Sequence, residues 1–183
     1  LSAIINRCMV LRCKPDVQYW IDNFAIPNNI HDAGISFLQR TDSQPLFNMA
    51  EQTTEQFATP RSWTAAFVAL KHFESQYTMT SGGHALKGAL LRSVMAGCVG
   101  DAAASKFWEY YTVYRDINAE KIFATGKFEV PEDLVKKYAF GSAISSEFYN
   151  LLGKWYPKYE KNKNDKKISE EMSKITNTFQ NIV

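Results

Sequence analysis

Phe57-Ala58-Thr59-Pro60-Arg61-Ser62-Trp63 is the stretch of this chain whose residue types and spacing come closest to chemistry. Thr59 is a good helix N-cap and Pro60 a good first helical residue. Together they place Arg61 in the first turn of the helix that starts here. A cation at that point faces the partial positive charge of the helix N-terminus, at a cost of about 0.3–1 kcal/mol when exposed. The placement makes sense where an anion binds, and the free backbone N–H groups of a helix start suit phosphate. The plainer reading has Arg61 curl away to a carboxylate or to solvent. Spacing alone leaves both readings open.

Few other residues offer chemistry. His31-Asp32 opens a helix and reads as a capping and charge feature rather than as half of a catalytic pair. His72 and His84 have no partner that the sequence identifies. There is no Gly-rich phosphate loop ending in Lys-Ser/Thr, no His-Glu-x-x-His and no Cys-x-x-Cys pair. Gly141-Ser142-Ala143-Ile144-Ser145 lacks the second glycine of a nucleophile elbow. Cys8 and Cys13, five apart in an expected strand, point to opposite faces and cannot share a metal. Cys98 lies on an apolar helical stripe and reads as core. The residues alone show no complete catalytic centre and no metal site.

Composition bounds what must position these residues. The 183 residues suit one domain or slightly more, and 45% apolar with 14% aromatic content suffices for a core. The formal net charge of +2 creates no global field for nucleic acid or membrane. Three cysteines are too scattered for a disulfide framework, so a reducing, cytoplasmic setting is expected. No stretch reaches the length of a membrane span, and no signal peptide opens the sequence. The first residue is Leu1 rather than methionine, which points to a processed product or a fragment.

The elements read as mainly α. Residues 1–7 resemble the end of a helix, and Cys8-Met9-Val10-Leu11 a buried strand of a parallel sheet. That strand is an orphan, since nothing later in the chain pairs with it. Pro15-Asp16 starts a helix whose Val17, Trp20, Ile21 and Phe24 share one face. Pro27-Asn28-Asn29 ends it. His31 to Arg40 forms the next helix with Ile35 and Leu38 inward, and a polar loop through Asp42 and Pro45 follows. The Thr59-capped helix runs to about Glu74 and buries Trp63, Phe67 and Leu70. Ser81-Gly82-Gly83 marks a turn. Leu86, Leu90, Val94 and Cys98 line another helix, which Gly100 ends, with Asp101 as cap of its successor. That one buries Phe107, Trp108, Tyr111 and Tyr114. A short helix at 119–123 and a turn at Gly126 lead to a long helix over 131–153, with Leu134, Tyr138, Phe148 and Leu152 inward. Pro157 then opens a polar tract with six lysines against two acids between Lys154 and Lys167, expected as a solvated linker. An amphipathic helix with Ile168, Met172, Ile175 and Phe179 closes the chain.

Residues 1–70 resemble the end of a AAA+ ATPase of the MoxR-like kind. Ile4-Ile5-Asn6-Arg7 before the Met9-Val10-Leu11 run is similar to the place of the intersubunit arginine, ahead of the last strand of the nucleotide-binding sheet. Asp16 to Ile21 and Ile30 to Leu38 resemble the first lid helices. Ala58-Thr59-Pro60-Arg61-Ser62-Trp63 resembles the sensor 2 motif, with Phe57 where many members carry glycine. A weaker echo continues at Ala96–Gly100, Ala103-Ala104, Phe107 and Val130-Pro131. The resemblance implies an end of the nucleotide-binding core at 1–14, a helical lid at 15–80 and a helical extension at 81–153. The polar linker and amphipathic helix occupy 154–183.

What the resemblance implies for function follows residue by residue. Arg61, presented by Thr59 and Pro60, would reach the γ-phosphate of ATP held by the same subunit. Each such hydrogen bond is worth about 1.5–3 kcal/mol. Arg7 would be a finger that enters the neighbouring subunit's site and neutralises charge during phosphoryl transfer; without the family it reads as a helix C-terminal cation. The parent would be an oligomeric, Mg2+-dependent ATPase that remodels a client protein. This stretch would not hydrolyse ATP by itself, because it carries no phosphate loop. A stand-alone helical interaction module that binds no nucleotide is the alternative. Lys154–Lys167 with Tyr156 and Tyr159 has the composition of a nucleic-acid-binding tract, but the near-zero net charge counts against nucleic acid as a partner.

Overall fold

The computed structural model describes residues 7–9, 11, 16–40, 56–76, 84–161 and 165–182, except the side chains of 76 and 84–87. The described residues are all helical or connecting; none forms a strand. The expected strand at 8–13 is thus not seen in its described part. Arg7, Cys8 and Met9 form a turn and its exit, and Met9 and Leu11 are exposed rather than buried. An apolar run becomes a strand only beside a partner whose N–H and C=O groups pair with it, and no described segment offers one. The rest of that segment, residues 1–6 of the helix end expected over 1–7, the loop at 41–55 and the Ser81-Gly82-Gly83 turn lie outside the described residues.

The first helix, α1 (Val17–Trp20), is capped by the Asp16 carboxylate, which accepts from the Tyr19 N–H at 2.9 Å. It continues into a π-helical turn, Ile21–Ala25, where the Ile26 N–H donates to the Ile21 carbonyl at 3.0 Å. The wider turn shifts the buried face. Val17, Ile21 and Ala25 go inward, whereas Phe24, expected inward on a 3.6-residue period, is turned toward solvent. Asn29, at φ 53°, ends the segment in the left-handed region.

Two helices, α2 (Asp32–Gln39) and α3 (Pro60–Gln76), carry the aromatic centre of the molecule. Trp63, Phe67 and Leu70 are fully buried, as their spacing predicts. They meet Phe37 of α2 and Phe107, Tyr110 and Tyr111 of α5 (Asp101–Asp116). The rings pack at offset and edge-on angles, with Trp63–Phe67 centroids 5.1 Å apart and Phe37–Phe107 centroids 5.2 Å apart. Each such pair contributes about 0.5–1.5 kcal/mol beyond the area it buries. Gly34 makes room for this packing, since a Cβ there would lie 2.7 Å from the Phe67 ring.

Between them runs α4 (His84–Val99), packed on both α3 and α5. Its inward stripe is Leu91, Met95 and Val99, one position along from the expected Leu90 and Val94; Leu90 is exposed. Its neighbours α3 and α5 lie on the 91/95/99 side, and that placement is a tertiary choice between two adjacent apolar stripes. Gly100, not Asp101, is the cap position of α5, with φ 86°.

The second layer is α6 (Ala119–Thr125), α7 (Leu134–Lys161) and α8 (Lys166–Ile182). Here too the buried face is shifted: Ala139, Phe140, Ala143 and Ile144 go inward while Leu134 and Tyr138 are exposed. Small residues at 139 and 143 let α7 approach α5 and α2. The polar tract after Lys154 is not a linker at its start, because α7 runs through Pro157 to Lys161. Proline costs the helix the hydrogen bond to the Gly153 carbonyl. That loss is offset by the Trp155–Tyr159 stack, centroids 4.8 Å apart, and by the Trp155 indole N–H, which donates to the Ile168 carbonyl at 3.0 Å. The amphipathic α8 docks on this chain: Phe179 stacks on Phe148 at 4.1 Å, and Ile175 packs on the same cluster. Among the described residues no helix is long and apolar enough to cross a membrane.

Candidate functional site: the start of helix α3

The start of α3 is built as its sequence predicts. The Thr59 hydroxyl accepts from the Ser62 N–H at 3.0 Å, and the Thr59 N–H donates back to the Ser62 hydroxyl at 2.7 Å. This reciprocal box is the Ser/Thr variant of a capping box. The Ser62 hydroxyl also lies 3.1 Å from the Phe57 carbonyl, which ties the incoming loop to the first turn. The loop is held from below by Gly100, where a Cβ would come within 2.5 Å of the Gln56 carbonyl oxygen. The stretch at 96–107 therefore packs directly beneath the Thr-Pro-Arg-Ser turn, with Val99, Ala103, Ala104 and Phe107 in one core with Trp63.

Arg61 is presented outward by this scaffold. Its side chain is exposed and has no hydrogen-bond or ion-pair partner among the described residues. The expected row of free N–H groups is shorter than the sequence suggests. Pro60 has none, and the Ser62 N–H is taken by Thr59. Only the Arg61 N–H of the first turn is left without a described acceptor, so an anion here would be held by the guanidinium more than by bare backbone. Arg7 is exposed in a turn near the start of the described chain. No described contact brings it to Arg61.

A guanidinium on a braced helix start can bind an anion. No three His, Cys, Asp or Glu side chains converge on a metal position among the described residues, so they supply no cage for Mg2+.

Two other polar assemblies lie elsewhere. His31 caps α2 as expected, its Nδ1 accepting from the Ala33 N–H at 3.1 Å. That leaves the proton on Nε2, which donates to the Glu74 carboxylate at 2.7 Å. The Tyr111 hydroxyl donates to the other Glu74 oxygen. Burial pushes the Glu74 carboxyl up, but His31, Tyr111 and the Arg115 charge outweigh it and hold it below the usual carboxylate range. Burial and then the Glu74 carboxylate push the Tyr111 phenol well above its ordinary range. One residue on, Asp32 accepts from the Ser146 hydroxyl of α7. Burial and then the Asp32 charge raise the Tyr114 phenol likewise. The His31-Asp32 pair thus fastens α2 to α3, α5 and α7. Sequence reasoning missed Glu74, Tyr111 and Ser146, which lie 37 or more residues from their partners and carry no local signal.

A groove of about 710 Å³ runs between α2 and α7, lined among others by Asp32, Ser36, Gln39, Tyr138, Ser142 and Ser146. It is large enough for a small ligand, yet none of residues 57–63 lines it. The Ser36 hydroxyl under its floor is occupied by the Tyr110 hydroxyl at 2.7 Å.

No family model, curated protein or solved structure matches this chain.

Proposed function

We propose that this chain is the lid and helical extension of an oligomeric, MoxR-like AAA+ ATPase that couples ATP binding and hydrolysis to remodelling of a client protein. The observation that carries the reading is the exposed Arg61 guanidinium on a helix start braced by the Thr59–Ser62 box and by Gly100. Such bracing supports a sensing role, because a positioned guanidinium transmits the presence of a phosphate to the helix that bears it. The helix in turn is locked to α2 and α5 through Glu74. When bound, the nucleotide would supply the charge that offsets a first-turn cation, and Mg2+ would come with ligands outside the described residues. Arg7 remains the candidate for a role in trans, and a run at 8–13 that finds its strand partners only in a complete nucleotide-binding core fits the same arrangement.

The test is the Arg61→Ala change in the protein that carries the phosphate loop. Turnover or nucleotide affinity should fall at least tenfold, the equivalent of about 1.4 kcal/mol, with helical content unchanged by circular dichroism. Unaltered turnover and affinity remove Arg61 from the mechanism. Arg7→Ala should impair only the assembled oligomer, and mixtures with subunits defective elsewhere should recover activity. An encoded frame ahead of Leu1 without a Gly-x-x-x-x-Gly-Lys-Ser/Thr segment would sink the whole reading and leave the interaction module.

A further inference from the structure

The α7–α8 hairpin presents a second surface that the reading of Arg61 does not use. Trp155 and Tyr159, one turn apart on α7, stack face on face and form one wall of a groove of about 380 Å³. The facing wall is a stripe of α8: Ser169, Met172, Ser173, Thr176, Asn177 and Gln180. It offers three hydroxyls and two amides, the Ser173 and Thr176 hydroxyls donating to the Ser169 and Met172 carbonyls and so open as acceptors, and among the described residues no carboxylate lines the groove. From Ser169 to Gln180 the stripe runs about 16 Å at 1.5 Å per residue. The indole is fixed in place by its bond to the Ile168 carbonyl, so the aromatic wall is preformed.

Charge is concentrated at the same end. Lys154, Lys158 and Lys161 follow one another at helical spacing on α7, and Lys166 and Lys167 open α8; all five are exposed. Lys158 falls three residues after Trp155, and Lys166 three and seven before Ser169 and Ser173, so both flank the groove. Lysines at the end of α7 suit its dipole, but Lys166 and Lys167 stand at the positive end of α8, where cations are disfavoured. Asp165 caps α8 by accepting from the Lys167 N–H at 3.0 Å. Neither the lysines nor the acids line the groove itself; Glu170, three residues before Ser173, flanks it as Lys166 does, so five lysines stand around it against Glu160, Asp165, Glu170 and Glu171. A preformed aromatic wall, neutral hydrogen-bonding side chains and crowded lysines match the needs of an unpaired base on a phosphate backbone. A lipid surface would call for aliphatic groups to insert, and among the described residues Met172 is the one aliphatic side chain in the groove.

We propose that the α7–α8 hairpin binds single-stranded nucleic acid, with the Trp155–Tyr159 wall stacking a base and the flanking lysines holding phosphates. The test uses the whole chain and a dye-labelled oligothymidine of about 12 nucleotides, read by fluorescence anisotropy. With four lysine–phosphate contacts, affinity should fall about 50-fold between about 50 and about 200 mM salt. Changing Lys158, Lys161, Lys166 and Lys167 to Gln should abolish binding and flatten that dependence. Tyr159→Leu, which keeps an apolar side chain on the helix, should weaken binding about tenfold and leave the salt slope unchanged. Absence of binding at low salt overturns the proposal. So does an unaffected Tyr159→Leu variant, which would reduce the surface to a general polycation. Tighter binding to phosphatidylserine vesicles, or to a duplex of the same length, would likewise assign the lysines to another partner.

Discussion

The described residues form two hydrophobic centres, and they differ in kind. The first joins α1 to α5 and also draws in Ala139 of α7; it is an interlocked set of aromatic rings around Phe107, with Trp63, Phe67, Phe107 and Tyr110 almost wholly withdrawn from water. The second joins α6, α7 and α8 around Phe123, Phe140 and Ile144, and its remaining members, including Phe148 and Phe179, are only half-buried. Burial, not the number of rings, sets how much a contact contributes. The first centre can therefore hold the start of α3 in one geometry, while α8 is fastened by a single layer of contacts.

Breaking the comparison starts with its strongest member. Phe107→Ala should destabilise the whole chain by about 3–5 kcal/mol in urea unfolding, because the ring touches Phe37, Trp63, Phe67 and Tyr111 and leaves a cavity among them. Phe179→Ala should cost only about 1–2 kcal/mol, since its ring is half-exposed. Its effect should be local, with faster amide exchange confined to 166–182 and α3 to α5 still protected. Equal losses from the two changes, or global exchange in Phe179→Ala, would show that the two centres form one cooperative unit.

Gly100→Ala sharpens the contrast from the other side. A Cβ there meets the Gln56 carbonyl at 2.5 Å in a backbone with φ 86°, so it should cost about 1–3 kcal/mol. The loosening should reach the Thr59–Ser62 box first, read as faster exchange of the Ser62 N–H. If that amide stays protected, the loop at 56–57 does not position Arg61.

The smallest expected effect is electrostatic. The Glu74 carboxyl is held below its unfolded value, so the unfolded chain binds the proton more readily. Its contribution is present above the ordinary carboxylate range and is lost as pH falls through the folded value. Glu74→Gln should therefore flatten the acid limb of the stability curve. Tyr111 and Tyr114 act in the opposite sense, because their folded values are raised. Their contribution is complete below pH about 10 and is lost above it, as the unfolded chain ionises first. An acid limb identical in wild type and Glu74→Gln would show that the His31–Glu74–Tyr111 cluster does not respond to protonation.

Much of this was legible from local pattern. The Thr59 cap, the Trp63, Phe67 and Leu70 stripe, the capping role of His31 and the Gly126 turn all rest on interactions within a few residues, which the order of side chains dictates by itself. The misplaced faces of α4 and α7 and the outward Phe24 have a different origin. Phe24 is displaced by the wider π-helical turn at Ile21–Ala25, whereas in α4 and α7 two neighbouring apolar stripes were available and the position of the packing partner selected one. Pro157 within α7 belongs to the same class, since the stack and indole bond that sustain the helix there lie partly on α8.

The amino-acid order alone determined a helical chain with an arginine at the mouth of its Thr-Pro-capped helix, because capping and amphipathic spacing act over one or two turns. Which of its polar groups meet was decided by tertiary structure. Glu74 reaches His31, Ser146 reaches Asp32 and Trp155 reaches the Ile168 carbonyl only once α2, α3, α7 and α8 are assembled. Such pairings cost loop-closure entropy and are settled by the packing of apolar faces far from the groups themselves.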